Sequence, residues 1–317
     1  MQDQPDGAVM RKDAARVAAR ARFDALAMQD PALADLHAGE ILRLAPQSLV
    51  AKGWYGGEAV VLKLFLGPKA AEIVSNMHKE LTHLAGHMSM GRWQVNRMLL
   101  ARPDLGLAVL SQLPGEKMSK LLPKAAPDQR SRMLRDAGRF VLAYSEGRRR
   151  MDVLGAGFWM RKFDRFDLSG LAAPDRALMQ ALRQALALQA QGLRQVPLCR
   201  AAIHGDFVPA NLHADENGIY AFDTQGEAIL PLSLDLARFM AWLAMDPVIP
   251  AGPYWYGLAK SDRNALLAKG LPAEGEHHGV LPFLLGHELA GRFYERHKDP
   301  AMAPAARRAL RAYLAQG

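Results

Sequence analysis

Short hydrophobic runs separated by turn residues dominate the first third of the chain. Residues 1–38 have a helical pattern that ends in loop-like sequence, and from Ile41 the pattern changes to runs typical of β-strands. Pro46-Gln47-Ser48 and Gly56-Gly57 separate the first of these runs, as expected for turns. The predicted elements of this part are strands at residues 41–44, 49–55, 59–66 and 107–112 and a helix at residues 70–84.

Helical periodicity dominates the sequence after Pro114-Gly115. The predicted helices cover residues 127–147, 174–193 and 234–244 and the C-terminal segment from Leu281 onward. The exception is a β-hairpin, in which Asp215–Gly218 is the turn between short strands at residues 212–213 and 219–222. We therefore expect an α+β protein of two lobes. Residues 1–113, with 1–38 as a helical leader, form a small β-rich lobe with one main helix, and residues 114–317 form a larger, mostly helical lobe that carries the hairpin.

Three oxygen-bearing side chains flank this hairpin. Asp206 and Asn211 precede it and Asp223 follows it. Closing the hairpin is expected to make Asn211 and Asp223 near cross-strand neighbours, with Cα atoms about 5 Å apart. Asp and Asn are also common in turns for structural reasons. However, carboxylate and carboxamide oxygens are the ligands of hard cations, and this spacing matches a kinase metal site. The sequence thus predicts that one or two magnesium ions and a phosphate chain bind here.

The segment His204-Gly205-Asp206, with Asn211 five residues after the aspartate and Asp223 after the hairpin, resembles a known family motif. It is similar to that of the aminoglycoside phosphotransferase and choline kinase-like superfamily. The resemblance implies a protein-kinase-like fold and an enzyme that uses ATP and Mg²⁺ to phosphorylate hydroxyl groups of small molecules. It would make Asp206 the catalytic aspartate and Asn211 and Asp223 the metal ligands.

Two further residues acquire supporting roles from the resemblance. His204 would be a structural residue that fixes the catalytic loop. Asp235, in the sequence Leu234-Asp235-Leu236-Ala237, would brace the same loop from the start of a helix. An aspartate in the first turn of a helix also stabilises the helix by itself, so the motif leaves both interpretations of Asp235 open.

A lysine and a glutamate in the predicted small lobe form a second candidate constellation. Lys63 lies within the apolar strand Val60–Phe65, and a charge in such a strand needs a reason. In kinases the lysine of this strand contacts the nucleotide phosphates and pairs with a helix glutamate. Glu80 is the predicted partner, because helical spacing places it on the apolar face with Ile73, whereas Glu72 falls on the polar face. The alternative is a lysine that blunts an edge strand.

Further nucleotide contacts are predicted in two loops. Ala45–Ser48 occupies the position of a phosphate-covering loop, in which Ser48 offers a hydroxyl or an amide, although the loop contains no glycine. Residues 107–115 resemble the hinge strand of the family, so backbone groups of Ser111, Gln112 and Leu113 are candidates to pair with an adenine edge. A core strand followed by a turn would have the same sequence.

Composition limits the partners and the compartment. The chain of 317 residues has a net charge of +8, which favours anionic partners such as nucleotides and disfavours polycationic aminoglycosides. No basic motif interleaved with aromatic residues is present, so nucleic acid is not expected. The single Cys199 fits a reducing compartment, and no apolar run reaches membrane-spanning length. We expect a cytoplasmic protein that binds no membrane and requires no protein partner.

The predicted activity is transfer of the ATP γ-phosphate to a hydroxyl of a sugar, an amino alcohol or an aminoglycoside-like acceptor. The candidate acceptor contacts in the helical lobe are Glu274, Glu276, His277, His278 and Arg292. Two alternatives stay open. One is a catalytically silent, nucleotide-binding pseudokinase, which the glycine-free loop favours. The other is a metallohydrolase whose ligands are His204, Asp206, His213 and Asp223.

Overall fold

The computed structural model describes residues 7–224, 229–246, 248–267 and 276–316, and the side chains from residue 13 onward. The helices of these parts are α1 (Gly7–Gln29), α2 (Ala70–Met88), α3 (Met118–Leu121), α4 (Pro127–Tyr144), α5 (Ala156–Phe163), α6 (Ala173–Gly192), α7 (Ser233–Ala244), α8 (Lys260–Leu266), α9 (Leu281–Arg296) and α10 (Ala303–Leu314). Among them, none has both the length and the apolar composition needed to cross a membrane.

Within the described ranges, the strands form four sheets. Their bounds are β1 (His37–Ala45), β2 (Ser48–Tyr55), β3 (Glu58–Phe65), β4 (Trp93–Val95), β5 (Met98–Arg102), β6 (Leu107–Ser111), β7 (Glu116–Lys117), β8 (Arg149–Val153), β9 (Pro197–Ala202), β10 (Leu212–Ala214), β11 (Ile219–Ala221), β12 (Ile229–Pro231), β13 (Tyr254–Trp255) and β14 (Leu258–Ala259). The orders are β1-β2-β3-β6-β5, β4-β11-β10-β7, β12-β9-β8 and β13-β14.

The chain divides into two compact units. The first comprises Met1–Ser89, Val95–Pro114 and Thr224–Gly226. Its five-stranded sheet has α1 and α2 packed against it. The core of this unit includes Phe23 of α1, Leu62 of β3 and Val109 of β6, all inaccessible to solvent. This is the mixed α+β composition that the hydrophobic pattern predicts, with α2 as the main helix between the strands.

The second unit comprises Met90–Gln94, Gly115–Asp223 and Glu227–Gly317. Its core is formed where α9 packs against α6, α7 and α10. The predicted C-terminal helical segment is divided into α9 and α10, because Pro300 lies between them and a proline disfavours helical backbone in the residue before it. The strands β8 and β9 were not predicted. Arg149, Arg150 and Met151 give β8 no apolar face, and it forms a strand because it pairs with β9.

A buried ion pair joins α4 to α8 in this unit. Arg130 donates from Nε and Nη2 to the Asp262 carboxylate at 2.9 and 2.7 Å, and from Nη1 to the Leu122 carbonyl at 2.9 Å. Neither side chain is more than 7% exposed. Each charge is thus compensated by a hydrogen-bonded partner, which is the condition under which buried charges are tolerated.

Gly218 closes the turn between β10 and β11 at a point where another chain segment lies very close. The Asp215 carboxylate accepts the N–H groups of Asn217 and Gly218, which defines the turn. A Cβ atom at Gly218 would lie 2.1 Å from the carbonyl oxygen of Arg92, the same oxygen that accepts the N–H of Ile219. The hairpin therefore requires glycine here for space.

We expect Gly218→Ala to lower the free energy of unfolding by about 1–3 kcal/mol, because the added methyl group must displace the Arg92 backbone. Gly86→Ala in α2 is the matched control, since nothing lies within 4 Å of its added Cβ. Removing a glycine from a helix should stabilise the protein by about 0.5–1 kcal/mol. Urea unfolding followed by circular dichroism measures both changes. Equal stability of Gly218→Ala and the wild type would contradict the close approach.

Candidate active site

Helix α7 binds the backbone of the loop that contains Asp206. The Asp235 carboxylate, in the first turn of α7, accepts the N–H of His204 at 2.8 Å and the N–H of Gly205 at 3.2 Å. Arg238, one turn later, donates to the carbonyl of Gly205. Gly205 has a φ of +86°, a conformation that favours glycine. Hydrogen bonds from one helix thus fix both the N–H and the carbonyl of this residue.

The environment of Asp235 changes its ionisation. Its side chain is 2% exposed. Burial raises the pKa of Asp235 to about 7, against the opposing effects of Arg238 and of the two backbone N–H groups. Arg238 was not among the predicted site residues, and its role in the loop is visible only once α7 places it one turn after Asp235.

His204 has a defined tautomer. Its Nε2 lies 3.1 Å from the carbonyl oxygen of Phe222, and its Nδ1 accepts the N–H of Asp206 at 3.3 Å. A carbonyl only accepts and an amide N–H only donates, so the ring is neutral and carries its proton on Nε2. The imidazole is 1% exposed and packs between the rings of Tyr144 and Phe207. His204 thereby connects the Asp206 loop to the end of the hairpin.

Asn211 and Asp206 are in direct contact. The Nδ2 of Asn211 donates to the carboxylate of Asp206 at 2.7 Å and to its backbone carbonyl at 3.0 Å. On the hairpin, Leu212 is paired with Ala221, and the N–H of Phe222 donates to the carbonyl of Asn211 at 3.1 Å. Asn211 therefore faces Phe222, and Asp223 is one residue farther along than the predicted register placed it.

The donor atoms of this group fit a divalent cation. Because Nδ2 of Asn211 binds Asp206, the carboxamide presents its Oδ1 as the remaining polar atom. Asp223 has a φ of +68°, which is uncommon for a residue with a side chain and costs on the order of 1–3 kcal/mol. Strain of this kind concentrates at functional sites. Carboxamide and carboxylate oxygens, such as those of Asn211 and Asp223, are the ligands that Mg²⁺ prefers.

Both histidines proposed as metal ligands of a metallohydrolase have other contacts in the structure. Both ring nitrogens of His204 take part in hydrogen bonds with the backbone, and the His213 ring packs edge-on against Phe222. Within the described ranges, no group of three or more His, Cys, Asp or Glu side chains is placed to hold a metal ion.

The first unit contains the two predicted nucleotide-binding charges. Lys63 is 6% and Glu80 3% exposed. β3 lies between β2 and β6, with Lys63 opposite Val50 and Ala108, so the interpretation of Lys63 as an edge-strand residue is wrong. The helix α2 packs against β3 and buries Glu80, whereas Ile73, expected on the same face, is 37% exposed.

The two predicted nucleotide loops differ in their backbone geometry. Ala45 pairs with Ser48, so the candidate phosphate loop is a tight turn between β1 and β2, with Ser48 as the first residue of β2. In the hinge segment, the N–H of Ser111 donates to Arg97 and the N–H of Gln112 to Ala59. These two donors are already engaged in the protein, which leaves the carbonyl of Gln112 and the backbone of Leu113 as candidates for adenine.

Of the candidate acceptor contacts, Glu276 has a structural position. It is fully buried, accepts the N–H of Cys199 at 2.8 Å and the hydroxyl of Ser233, and burial raises its pKa. It therefore stabilises the start of α7 from inside the core. The prediction that Glu276 contacts the acceptor is wrong, because its side chain is not accessible to a ligand. His277 is half-buried and His278 exposed, and Arg292 lies half-buried in α9. Glu274 lies outside the described residues.

Comparison with known proteins decides the family. A model of the phosphotransferase enzyme family matches residues 47–251, more than half of the chain. The chain belongs to this family. The matched segment includes every predicted catalytic, metal, nucleotide-binding and loop-supporting residue, from Ser48 to Asp235, and it ends before α9. Membership of this family supports, in general terms, the prediction of a phosphotransferase that acts on small molecules.

Solved structures of phosphotransferases share the fold. An aminoglycoside 2'-phosphotransferase-IIIa solved with GDP has a TM-score of 0.63 at 14% identity, covering 93% of this chain and 98% of its own. An amicoumacin kinase with AMP-PNP and Ca²⁺ has a TM-score of 0.54 at 14% identity, covering 87% and 88%. A glucosamine kinase has a TM-score of 0.53 at 13% identity, covering 87% and 93%. No curated protein matches the sequence. The predicted two-lobed, protein-kinase-like α+β fold is thus confirmed.

The raised pKa of Asp235 predicts a distinctive dependence of stability on pH. Its pKa is raised from 3.8 to about 7, so between these values the unfolded chain has lost a proton that the folded protein keeps. Stability from this group therefore falls as pH rises from about 4 to 7. From pH 5 to pH 8, the free energy of unfolding of the wild type relative to Asp235→Asn should fall by about 2–3 kcal/mol.

Asp175→Asn is the control of opposite sign. The Arg307 guanidinium hydrogen-bonds Asp175 at 2.7 Å and holds the pKa of that carboxyl below its usual value. The stability that ionised Asp175 contributes is fully present when the pH is above the pKa of this group in the unfolded chain. It is lost only as the pH falls through the lower pKa of the folded protein. The difference for Asp175→Asn should stay constant between pH 5 and 8. A constant difference for Asp235→Asn over the same range would disprove its raised pKa.

Proposed function

We propose that this protein transfers the γ-phosphate of ATP to a hydroxyl group of a small molecule, with magnesium bound at Asn211 and Asp223. The observation that carries the proposal is the hydrogen-bonded pair of Asp206 and Asn211, held beside the end of a hairpin where Asp223 adopts a left-handed backbone. Membership of the phosphotransferase enzyme family supports the same chemistry.

The proposed metal ligands are the Oδ1 of Asn211 and the carboxylate of Asp223. In support of this, Asn211 directly precedes β10 and donates to the Asp206 carboxylate, and Asp223 lies two residues after β11. When bound, magnesium supplies neutralisation of the phosphate charge. The residues of this chain contribute by positioning, since phosphoryl transfer depends almost entirely on orientation and electrostatics.

Asp206 is the proposed catalytic base. One of its carboxylate oxygens accepts the amide of Asn211, which fixes the rotation of the side chain. The hydroxyl oxygen of the small molecule forms a bond to the γ-phosphorus of ATP. The bond from that phosphorus to the oxygen bridging the β- and γ-phosphates breaks, and ADP leaves. The hydroxyl proton passes to the Asp206 carboxylate as the new bond advances. Loop bracing by Asp235 and Arg238 keeps this carboxylate in place.

Lys63 and Glu80 are the proposed nucleotide-phosphate residues. A buried lysine and a buried glutamate cost several kcal/mol each unless each charge is compensated. Packing of α2 against β3 favours their pairing with each other. The ammonium group would then be oriented by Glu80 and would bind the phosphate oxygens. The carbonyl of Gln112 and the backbone of Leu113 are the proposed contacts of the adenine.

A catalytically silent nucleotide-binding protein is the second candidate function. The tight turn at Ala45–Ser48, which has no glycine, supports it, since such a turn brings fewer amides close to a phosphate. ADP release over a panel of sugars, amino alcohols and aminoglycosides separates the two candidates. Nucleotide binding without consumption over the panel would favour the silent protein.

We expect Asp206→Asn to lower kcat by about 10²–10⁴-fold, because the amide cannot accept the hydroxyl proton. Affinity for MgATP should change less than threefold, as measured by calorimetric titration. Glu216→Gln, at the exposed tip of the same hairpin, is the control and should behave like the wild type. A kcat of Asp206→Asn within tenfold of the wild type would remove this residue from the chemistry.

Replacing Lys63 by Met and Glu80 by Gln tests their coupling in a double-mutant cycle. Each single change should weaken MgATP binding by about tenfold or more, and the double variant should be little worse than Lys63→Met, since Glu80 acts through the lysine. Lys52→Met is the matched control, because Lys52 lies on β2 and pairs with Glu40 at the surface at 3.0 Å. Additive effects of the two changes would refute the pairing.

A further inference from the structure

Arg292 is a half-buried cation on helix α9. Its Nε is inaccessible to solvent and has no hydrogen-bond partner among the described residues. Among the described residues, no carboxylate forms an ion pair with Arg292 within 4.0 Å, and Glu288, Glu295 and Asp206 act on it from a longer distance. The residue three positions earlier on α9, Leu289, and the one that follows it, Phe293, are fully buried. A guanidinium at such a position needs an anionic partner.

The helix α9 brings Arg292 to the side of the catalytic loop. Glu288, one turn before Arg292 and on the same helical face, lies 3.4 Å from Nε of Arg238. Arg238 in turn donates to the carbonyl of Gly205, the residue before Asp206. One face of α9 therefore contacts the loop through Glu288 and continues to Arg292.

The charged groups that act on Arg292 include Asp206, which also indicates that Arg292 lies near the loop. Glu288, Glu295 and Arg296 act on it from α9 itself, and Asp206 acts on it from outside the helix. Burial lowers the pKa of Arg292, and the carboxylates oppose that effect only in part. The Glu288 carboxylate is shared, since it also lies 3.4 Å from Nε of Arg238. An acceptor whose hydroxyl lies at Asp206 is thus within electrostatic reach of an incompletely compensated guanidinium.

We propose that Arg292 binds an anionic group of the acceptor, so that the substrates are hydroxyl compounds that carry a carboxylate or a phosphate. The planar fork of arginine matches either group with two parallel hydrogen bonds. This inference rests on the proposed function, since Asp206 defines where the acceptor hydroxyl lies. Arg292 lies beyond the matched family segment, on a helix that the family motif does not describe.

Kinetics with matched acceptors test the assignment. ADP release by the full-length protein is measured with glucose, glucuronate and glucose 6-phosphate, and with glycerol, glycerate and glycerol 3-phosphate. We expect kcat/KM to be at least tenfold higher for an anionic member than for the neutral member of its set, and Arg292→Met to abolish that preference through KM. Comparison of the carboxylate acceptors with the phosphate acceptors shows which of the two anionic groups is recognised. Preference for the neutral members would overturn the inference, as would an equal loss on all acceptors, which places Arg292 on the transferred phosphoryl group.

Binding measurements separate this inference from the proposed function. Titration of MgAMP-PNP first tests the nucleotide site, whose absence would contradict the kinase proposal. Inorganic phosphate and succinate are then titrated into the protein with MgAMP-PNP present, which needs no turnover. We expect Arg292→Met to weaken the binding of at least one of them tenfold or more. Arg296→Met, which removes an equal charge one turn farther along α9, should have less than a threefold effect. Equal binding by the wild type and Arg292→Met would refute the anion site.

Discussion

The interaction on which the candidate site depends is the contact between the Asp235 carboxylate and the N–H groups of His204 and Gly205. It joins a rigid helix to a loop whose own sequence cannot fix its conformation, because Gly205 has a left-handed backbone and few intrinsic restraints. Arg238 adds a bond to the carbonyl of the same glycine. Asp206 inherits its position from these bonds. Without them, the backbone of the residue before Asp206 would be free to rotate.

Several polar and charged residues of the candidate site are buried. Asp235, Lys63, Glu80 and His204 are each less than 9% exposed. Such groups are costly unless they are bonded, and the structure shows the bonds of His204 and Asp235 explicitly. Arg292 is one of several charged side chains with a buried atom that has no hydrogen-bond partner among the described residues. Its place on the helix that contacts the Asp206 loop through Glu288 is what makes it informative about a ligand.

The two kinds of buried carboxylate show how environment rather than residue type sets ionisation. Asp235 receives two backbone N–H groups, but its complete burial dominates and raises its pKa. Asp175 lies beside Arg307, whose hydrogen bonds lower the pKa of that carboxyl. Glu276 follows the first pattern. Its position in the core between Cys199 and Ser233 explains why a residue that suggested a substrate contact serves the packing of α7 instead.

The sequence by itself determined the elements with strong local patterns and the motif. The apolar alternation of β2, β3 and β6, the periodicity of α2, α4 and α6, and the turn residues of the hairpin are short-range signals that survive in the fold. The spacing of Asp206, Asn211 and Asp223 was equally readable, since it is a covalent property of the chain. Tertiary structure alone decided the register that places Asn211 opposite Phe222, the order of β8 and β9, and the burial of Glu276. These depend on pairing and packing between distant segments, and so do the positions of Arg238 and Arg292 beside the loop, which no local pattern encodes.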